Sequence, residues 1–86
     1  MPRLHTYRGF VFFFYSNDHP YHIHVRKDGA EVKIYFKKEG EACLKIEKLT
    51  SIKFKKRELT LISKIVIEKR DDFILGWDLF LKGKKP

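Results

Sequence analysis

Only Asp28 and Gly29 stand between two alternating runs, Tyr21 to Lys27 and Ala30 to Phe36. Asp-Gly in that setting predicts a two-residue hairpin loop, because both loop positions need a positive φ that these residues accept. So short a loop sets the register. Lys27 should face Ala30, Arg26 Glu31, Val25 Val32, His24 Lys33, Ile23 Ile34 and His22 Tyr35. Side chains two apart on a strand share a face. Tyr21, Ile23, Val25, Val32, Ile34 and Phe36 therefore make an apolar face, the predicted core. His22, His24, Arg26, Glu31, Lys33 and Tyr35 make the other, which the pattern predicts to be wet.

The flanking segments extend this hairpin. Gly9-Phe10-Val11-Phe12-Phe13-Phe14-Tyr15 is continuous, aromatic and short. It reads as a central strand covered on both sides, or as one edge of a tight core. Ser16-Asn17-Asp18-His19-Pro20 is a dense turn cluster, and Pro20 can give no ladder N–H. Lys37-Lys38-Glu39-Gly40 reads as a loop; Ala42, Leu44 and Ile46 then alternate as a fourth strand. Thr50 and Ser51 are candidate helix caps in a transitional stretch. From Lys55 the spacing turns helical through Leu59, Leu61, Ile62, Ile65 and Val66. Phe73, Ile74, Trp77, Phe80 and Leu81 continue as an amphipathic stripe. Asp71 and Asp72 suit a helix start and Lys82-Gly83 an end, so one long helix and two helices broken near Arg70 both fit. The expected fold is α+β: an antiparallel sheet of about four strands, with the helical segment packed on one face. The strands fall within 9–48, the helical segment spans about 55–82, and 83–86 is a basic tail.

The 86 residues suit one domain, and 43% hydrophobic with 15% aromatic residues excludes a disordered chain. A net charge of +8 and a pI near 9.7 favour a polyanion or an acidic protein surface as partner. The lone Cys43 excludes a disulfide framework and a Cys-rich zinc site, and suits a reducing cytoplasm. The apolar run from Phe10 to Tyr15 falls far short of the roughly 20 residues a spanning helix needs, and no leader or membrane anchor is expected. No Gly-rich phosphate loop, Ser–His–Asp set or carboxylate pair is present, so no cofactor is expected.

The run from Gly9 to Asn17, followed by His22-Ile23-His24-Val25-Arg26-Lys27, resembles a widespread family of short bacterial proteins. Their N-terminal half carries F-x-F-x-F-Y-S-N and then P-H-I-H-V. Their C-terminal half carries a K-E-L…I…I…W-x-x-(Y/F)-F helix, echoed here by Arg57-Glu58-Leu59, Ile62, Ile65, Trp77 and Phe80. The likeness covers nearly the whole chain. Tyr21 stands where the pattern has a second proline, and the lysine-rich stretch 37–52 departs from the usual W-L-x-P segment. The family was long classed as a domain of unknown function, and members are often labelled DhiT, the toxin of a type II toxin–antitoxin pair. The resemblance implies a small cytoplasmic toxin-like protein whose partner is a cognate antitoxin encoded beside it. It carries over no catalytic residues.

His22 and His24 lie two apart on a strand, with Arg26, Lys33 and Tyr35 on the same predicted face. One chemistry this set suits is metal-independent ribonuclease action. One imidazole takes the 2′-hydroxyl proton, the other donates to the leaving oxygen, Tyr35 assists, and Arg26 and Lys33 stabilise the phosphorane charge. Spacing alone favours the plainer reading of two solvated histidines on an amphipathic strand; the recurrence of H-I-H-V within the family narrows that balance without reversing it. A metal site would need Asp18 or His19 as third ligand, three firm ligands are not evident, and none is expected. Lys53, Lys55, Lys56 and Arg57, with Lys37, Lys38, Lys45 and Lys48, suit phosphate contact, a docking face for an acidic antitoxin, or a solvated surface. Three functions stay open: a toxin acting on RNA or translation, a non-catalytic basic module holding nucleic acid or protein, and a scaffold with a solvated histidine face.

Overall fold

The computed structural model describes residues 3–14, 22–37, 39–41 and 43–84, with side chains at all of these except 77 and 80–84. Five strands, β1 (Arg3–Tyr7), β2 (Phe10–Phe13), β3 (His22–Lys27), β4 (Ala30–Tyr35) and β5 (Lys45–Lys48), precede one helix, α1 (Lys56–Lys84). The strands form a single antiparallel meander in the order β1-β2-β3-β4-β5. The α+β architecture with a C-terminal helix is as expected, with one strand more.

The central hairpin follows the predicted register at all six pairs, from Lys27↔Ala30 to His22↔Tyr35. Asp28 and Gly29 have φ of 51° and 83°, the left-handed pair that this loop requires. The apolar face packs beneath α1. Phe10, Phe12, Ile23, Val25, Val32 and Ile34 are buried there against Phe54, Ile62, Ile65, Val66, Phe73 and Ile74. Phe12 and Phe73 stack with ring centroids 5.8 Å apart, and Phe10 meets Phe54 at 5.6 Å. Burying each such side chain stabilises the fold by about 1.5–3 kcal/mol, which makes this layer the main source of cohesion.

Three expectations need correction. The first strand, β1, lies outside the expected strand range of 9–48. Arg8 and Gly9 form its turn with φ of 47° and 87°, and arginine is not a residue that advertises a left-handed position. The fourth expected strand appears as β5, shifted toward its C-terminal end, because Cys43 takes a positive φ of 48° and breaks the alternation. Thr50 caps no helix. Its Oγ1 accepts the Glu31 N–H at 3.0 Å and donates to the Ile52 carbonyl at 2.7 Å. The cap residue is Lys55, whose N–H donates to Glu58 Oε1 at 2.8 Å while its carbonyl accepts the first helical bond from Leu59.

The helix question is also answered: α1 runs unbroken through Arg70, and Asp71 and Asp72 are exposed residues in its middle. Arg70 donates to the Lys37 carbonyl at 3.1 Å, tying the helix to the end of β4. The turn cluster 15–21, Lys38, Ala42, residues 85–86 and the side chains of Trp77, Phe80 and Leu81 lie outside the described residues. Among the described residues no helix is long and apolar enough to cross a membrane.

Candidate functional site

Strands β3 and β4 do place His22, His24, Arg26, Glu31, Lys33 and Tyr35 on the face away from α1, through the register just described. The expectation that this face is wet is wrong for its two histidines. His22 is 7% exposed and His24 4%, as buried as the core. The cause lies partly on β2, where Phe13 pairs with His24. Phe13 is itself buried and stacks on the His24 ring at 5.3 Å with 23° between planes. The aromatic run on β2 thus feeds both layers: Phe10 and Phe12 under the helix, Phe13 against the histidines.

The rings form a continuous row. His22 lies edge-on to His24 at 5.9 Å and beside Tyr35 at 5.6 Å. His24 Nδ1 sits 3.1 Å from Glu31 Oε2, which makes Nδ1 the protonated nitrogen of this bond since a carboxylate only accepts. Tyr35 donates its hydroxyl to Glu47 Oε2 at 3.0 Å. Above the rings lie cations: the Arg26 guanidinium is 5.1 Å from the Phe13 centroid, and Lys33 Nζ is 5.2 Å from that of Tyr35. The five residues of this face predicted for the site, His22, His24, Arg26, Lys33 and Tyr35, are therefore together, the imidazoles within the packed layer and the cations at its rim.

Three members of this layer were not anticipated as parts of a site. Glu31 is legible in retrospect, since it lies on the neighbouring pair diagonal to His24 in the predicted register. Glu47 needed the β4–β5 register, where Lys33 faces Glu47 and Tyr35 faces Lys45. Phe13 reads from the sequence as core on neither side in particular, because no tight loop sets how β2 meets β3.

The second group of predicted residues is elsewhere. Lys53, Lys55, Lys56 and Arg57 are all exposed and flank Phe54, which packs into the layer beneath α1. They belong to the helix side of the molecule, and the fold does not join them to the histidine face. Lys53 and Lys55 instead line, with Lys27, a depression of about 240 Å³ beside the Asp28-Gly29 turn. Asp28 and Glu58 also line it, the latter engaged by the Lys55 N–H. Lys37, Lys45 and Lys48 are exposed, Lys45 opposite Tyr35 on the histidine face of β5 and Lys48 opposite Val32 on its helix face.

Among the described residues, no three His, Cys, Asp or Glu side chains are grouped so as to hold a metal ion. The suggested third ligands, Asp18 and His19, lie outside the described residues. Cys43 is a free, exposed thiol. A family model described as "Domain of unknown function (DUF4160)" matches residues 9–78, a span that holds β2 to β5 and most of α1. No curated protein matches the chain. No solved structure matches it either.

Proposed function

This chain belongs to the DUF4160 family, and we propose that it is the toxin-like component of a bacterial type II toxin–antitoxin pair, working in the cytoplasm by holding nucleic acid on exposed cations. The toxin role rests on the resemblance of the F-F-F-Y-S-N and H-I-H-V runs to DhiT-like proteins. The mechanism rests on one contrast: Lys53, Lys55, Lys56 and Arg57 are exposed, whereas His22 and His24 are buried. A phosphate backbone needs cations it can reach, and it contributes affinity through counterion release with little sequence preference. Acid–base cleavage needs an imidazole within hydrogen-bond reach of the substrate. Burial favours the first.

A second reading keeps a specific observation in its favour. His22, His24 and Tyr35 form one row of rings with Arg26 and Lys33 above it, a composition suited to metal-independent RNA cleavage. Induction in a bacterial host separates the readings. Arrest relieved by the neighbouring open reading frame is expected, and harmless induction would end the toxin reading. Neutralising Lys53, Lys55 and Lys56 together should abolish arrest and RNA binding, while folded His24→Gln retains both. With four cations on phosphates of a single strand, log affinity should fall against log salt with a slope of about −3. Loss of arrest in folded His24→Gln, with RNA binding intact, would instead establish the cleavage mechanism.

A further inference from the structure

The outer face of α1 carries apolar side chains that are largely exposed among the described residues. Ile67 is 55% exposed, Leu75 57% and Leu79 58%, on a helix whose opposite side is buried against the sheet. Ser63, Ile67, Asp71, Leu75 and Leu79 follow one another at four-residue spacing, which makes them a single ridge on the helix surface. Toward the N-terminal end the ridge runs beside an open groove of about 560 Å³, lined on one side by Leu59, Ser63 and Ile67 and on the other by Lys56, Thr60 and Lys64. The small Thr60 and Ser63 side chains leave that groove open. Toward the C-terminal end the same ridge rises into two leucines.

We propose that this face is the interface of a symmetric dimer, in which α1 packs antiparallel on α1 of a second copy. The argument is self-complementarity in shape and in charge. With a two-fold axis beside Ile67, Leu75 of one copy falls on Thr60 of the other, and Leu79 falls on the aliphatic stem of Lys56, whose ammonium stays at the rim and open to phosphate (counting equal steps from the axis). The leucine ridge of each copy thus enters the groove of the other, and a two-fold axis makes the contact twice. The charges match under the same operation. The groove is edged by the cations Lys56 and Lys64, with the single anion Glu68 at its end beside Ile67, and the leucine ridge is flanked by the anions Asp71, Asp72 and Asp78, with Glu39 beside Leu75. Asp71 meets Lys64. A parallel arrangement would place Lys64 on Lys64 and Asp71 on Asp71, so the charge pattern selects the antiparallel one. At about 1.5 Å per residue, the helix offers a seam some 40 Å long. A second copy is therefore the occupant that this pattern of shape and charge matches.

Sedimentation of the full chain over a wide concentration range tests this, with circular dichroism to confirm folding. The wild-type chain should dimerise. Leu75→Lys should weaken association by on the order of a hundredfold, because it sets a cation between Lys56 and Lys64 in the partner's groove. Lys64→Glu and Asp71→Lys should each weaken it by roughly tenfold, and the two changes together should restore it. Lys64 and Asp71 lie outside the cluster Lys53–Arg57, so RNA binding by the charge-reversed chains should persist. A wild-type chain that stays monomeric would overturn the proposal. So would a dimer indifferent to Leu75→Lys, or a charge-reversed pair whose losses add instead of cancelling.

Discussion

His24 and Glu31 are joined on a diagonal of the central hairpin: Nδ1 lies 3.1 Å from Oε2, although His24 directly faces Lys33 and Glu31 faces Arg26. The carboxylate gives the buried imidazole a charged acceptor, and hydrogen bonds to charged groups contribute more than neutral ones. The backbone of Glu31 is held separately, by Thr50 and by Leu49, so changing its side chain leaves the strand in place.

Glu31→Ala should therefore destabilise the fold by about 1–3 kcal/mol, and Glu31→Gln by less, since an amide oxygen still accepts. Urea unfolding with an unchanged slope would register this as a shift of midpoint alone. If Glu31→Ala unfolds at the wild-type midpoint, the diagonal contact contributes nothing.

Gly29 offers a second test. Its φ of 83° is strained for any L side chain, and a Cβ there would stand 3.2 Å from Ile52 Cδ1. Gly29→Ala adds both costs, about 1–3 kcal/mol in all. A thermal midpoint lower by roughly 4–8 °C per kcal/mol is expected for a domain of this size. Asp28→Asn should be nearly silent, because asparagine also accepts the left-handed region. Equal effects of the two changes would show that backbone conformation is not what the Asp28-Gly29 pair supplies.

These positions mark where the fold was legible and where it was not. Asp28-Gly29 carries its own geometry, and the whole β3–β4 register, the apolar face and the polar face follow from it. Arg8-Gly9 makes the same kind of turn, but arginine hides it, and β1 has no strong alternation to compensate. The burial of His22 and His24 was illegible for a different reason. It depends in part on which side of β2 Phe13 occupies, and no short loop between β2 and β3 dictates that pairing. Asp71 and Asp72 resemble a helix start because charge preference at helix ends is weak, whereas continuity here comes from Ile65, Val66, Phe73 and Ile74 docking on the sheet. The site followed the same division: the face was predictable, its depth was not.

Gly76 tests how β1 meets the helix. Alanine inside a helix is normally better than glycine by about 1 kcal/mol. Here a Cβ would come 2.7 Å from Leu4 Cδ2 on β1, closer than carbon atoms tolerate. The obstructing atom is the end of a flexible side chain, so Leu4 can turn away at the expense of its packing. Gly76→Ala alone should be close to neutral. In a Leu4→Ala background the same change should recover the full gain, about 1 kcal/mol. A double-mutant cycle from chemical unfolding measures the difference. Identical effects of Gly76→Ala in both backgrounds would mean that Leu4 does not rest against this turn of α1.

Lys55 connects stability with the proposed binding surface. It occupies the cap of α1, where serine or aspartate would accept a hydrogen bond from the first turn, whereas lysine can accept none. Its ammonium also sits at the end of a helix that favours negative charge. Among the described residues, Glu58, reaching back to the Lys55 N–H, is the side chain that closes this end. Lys55→Ser should therefore stabilise the protein by about 0.5–1 kcal/mol, completing a capping box with Glu58. A residue that lowers stability on an exposed surface is explained if it contacts something outside the chain. The same Lys55→Ser protein should consequently bind single-stranded RNA more weakly, with the salt slope reduced by about 0.7 for one lost phosphate contact. Thermal melting and salt-titrated binding on one preparation measure both halves. A stabilised protein with undiminished RNA affinity would remove Lys55 from the binding surface and leave its place at the cap without a functional reason.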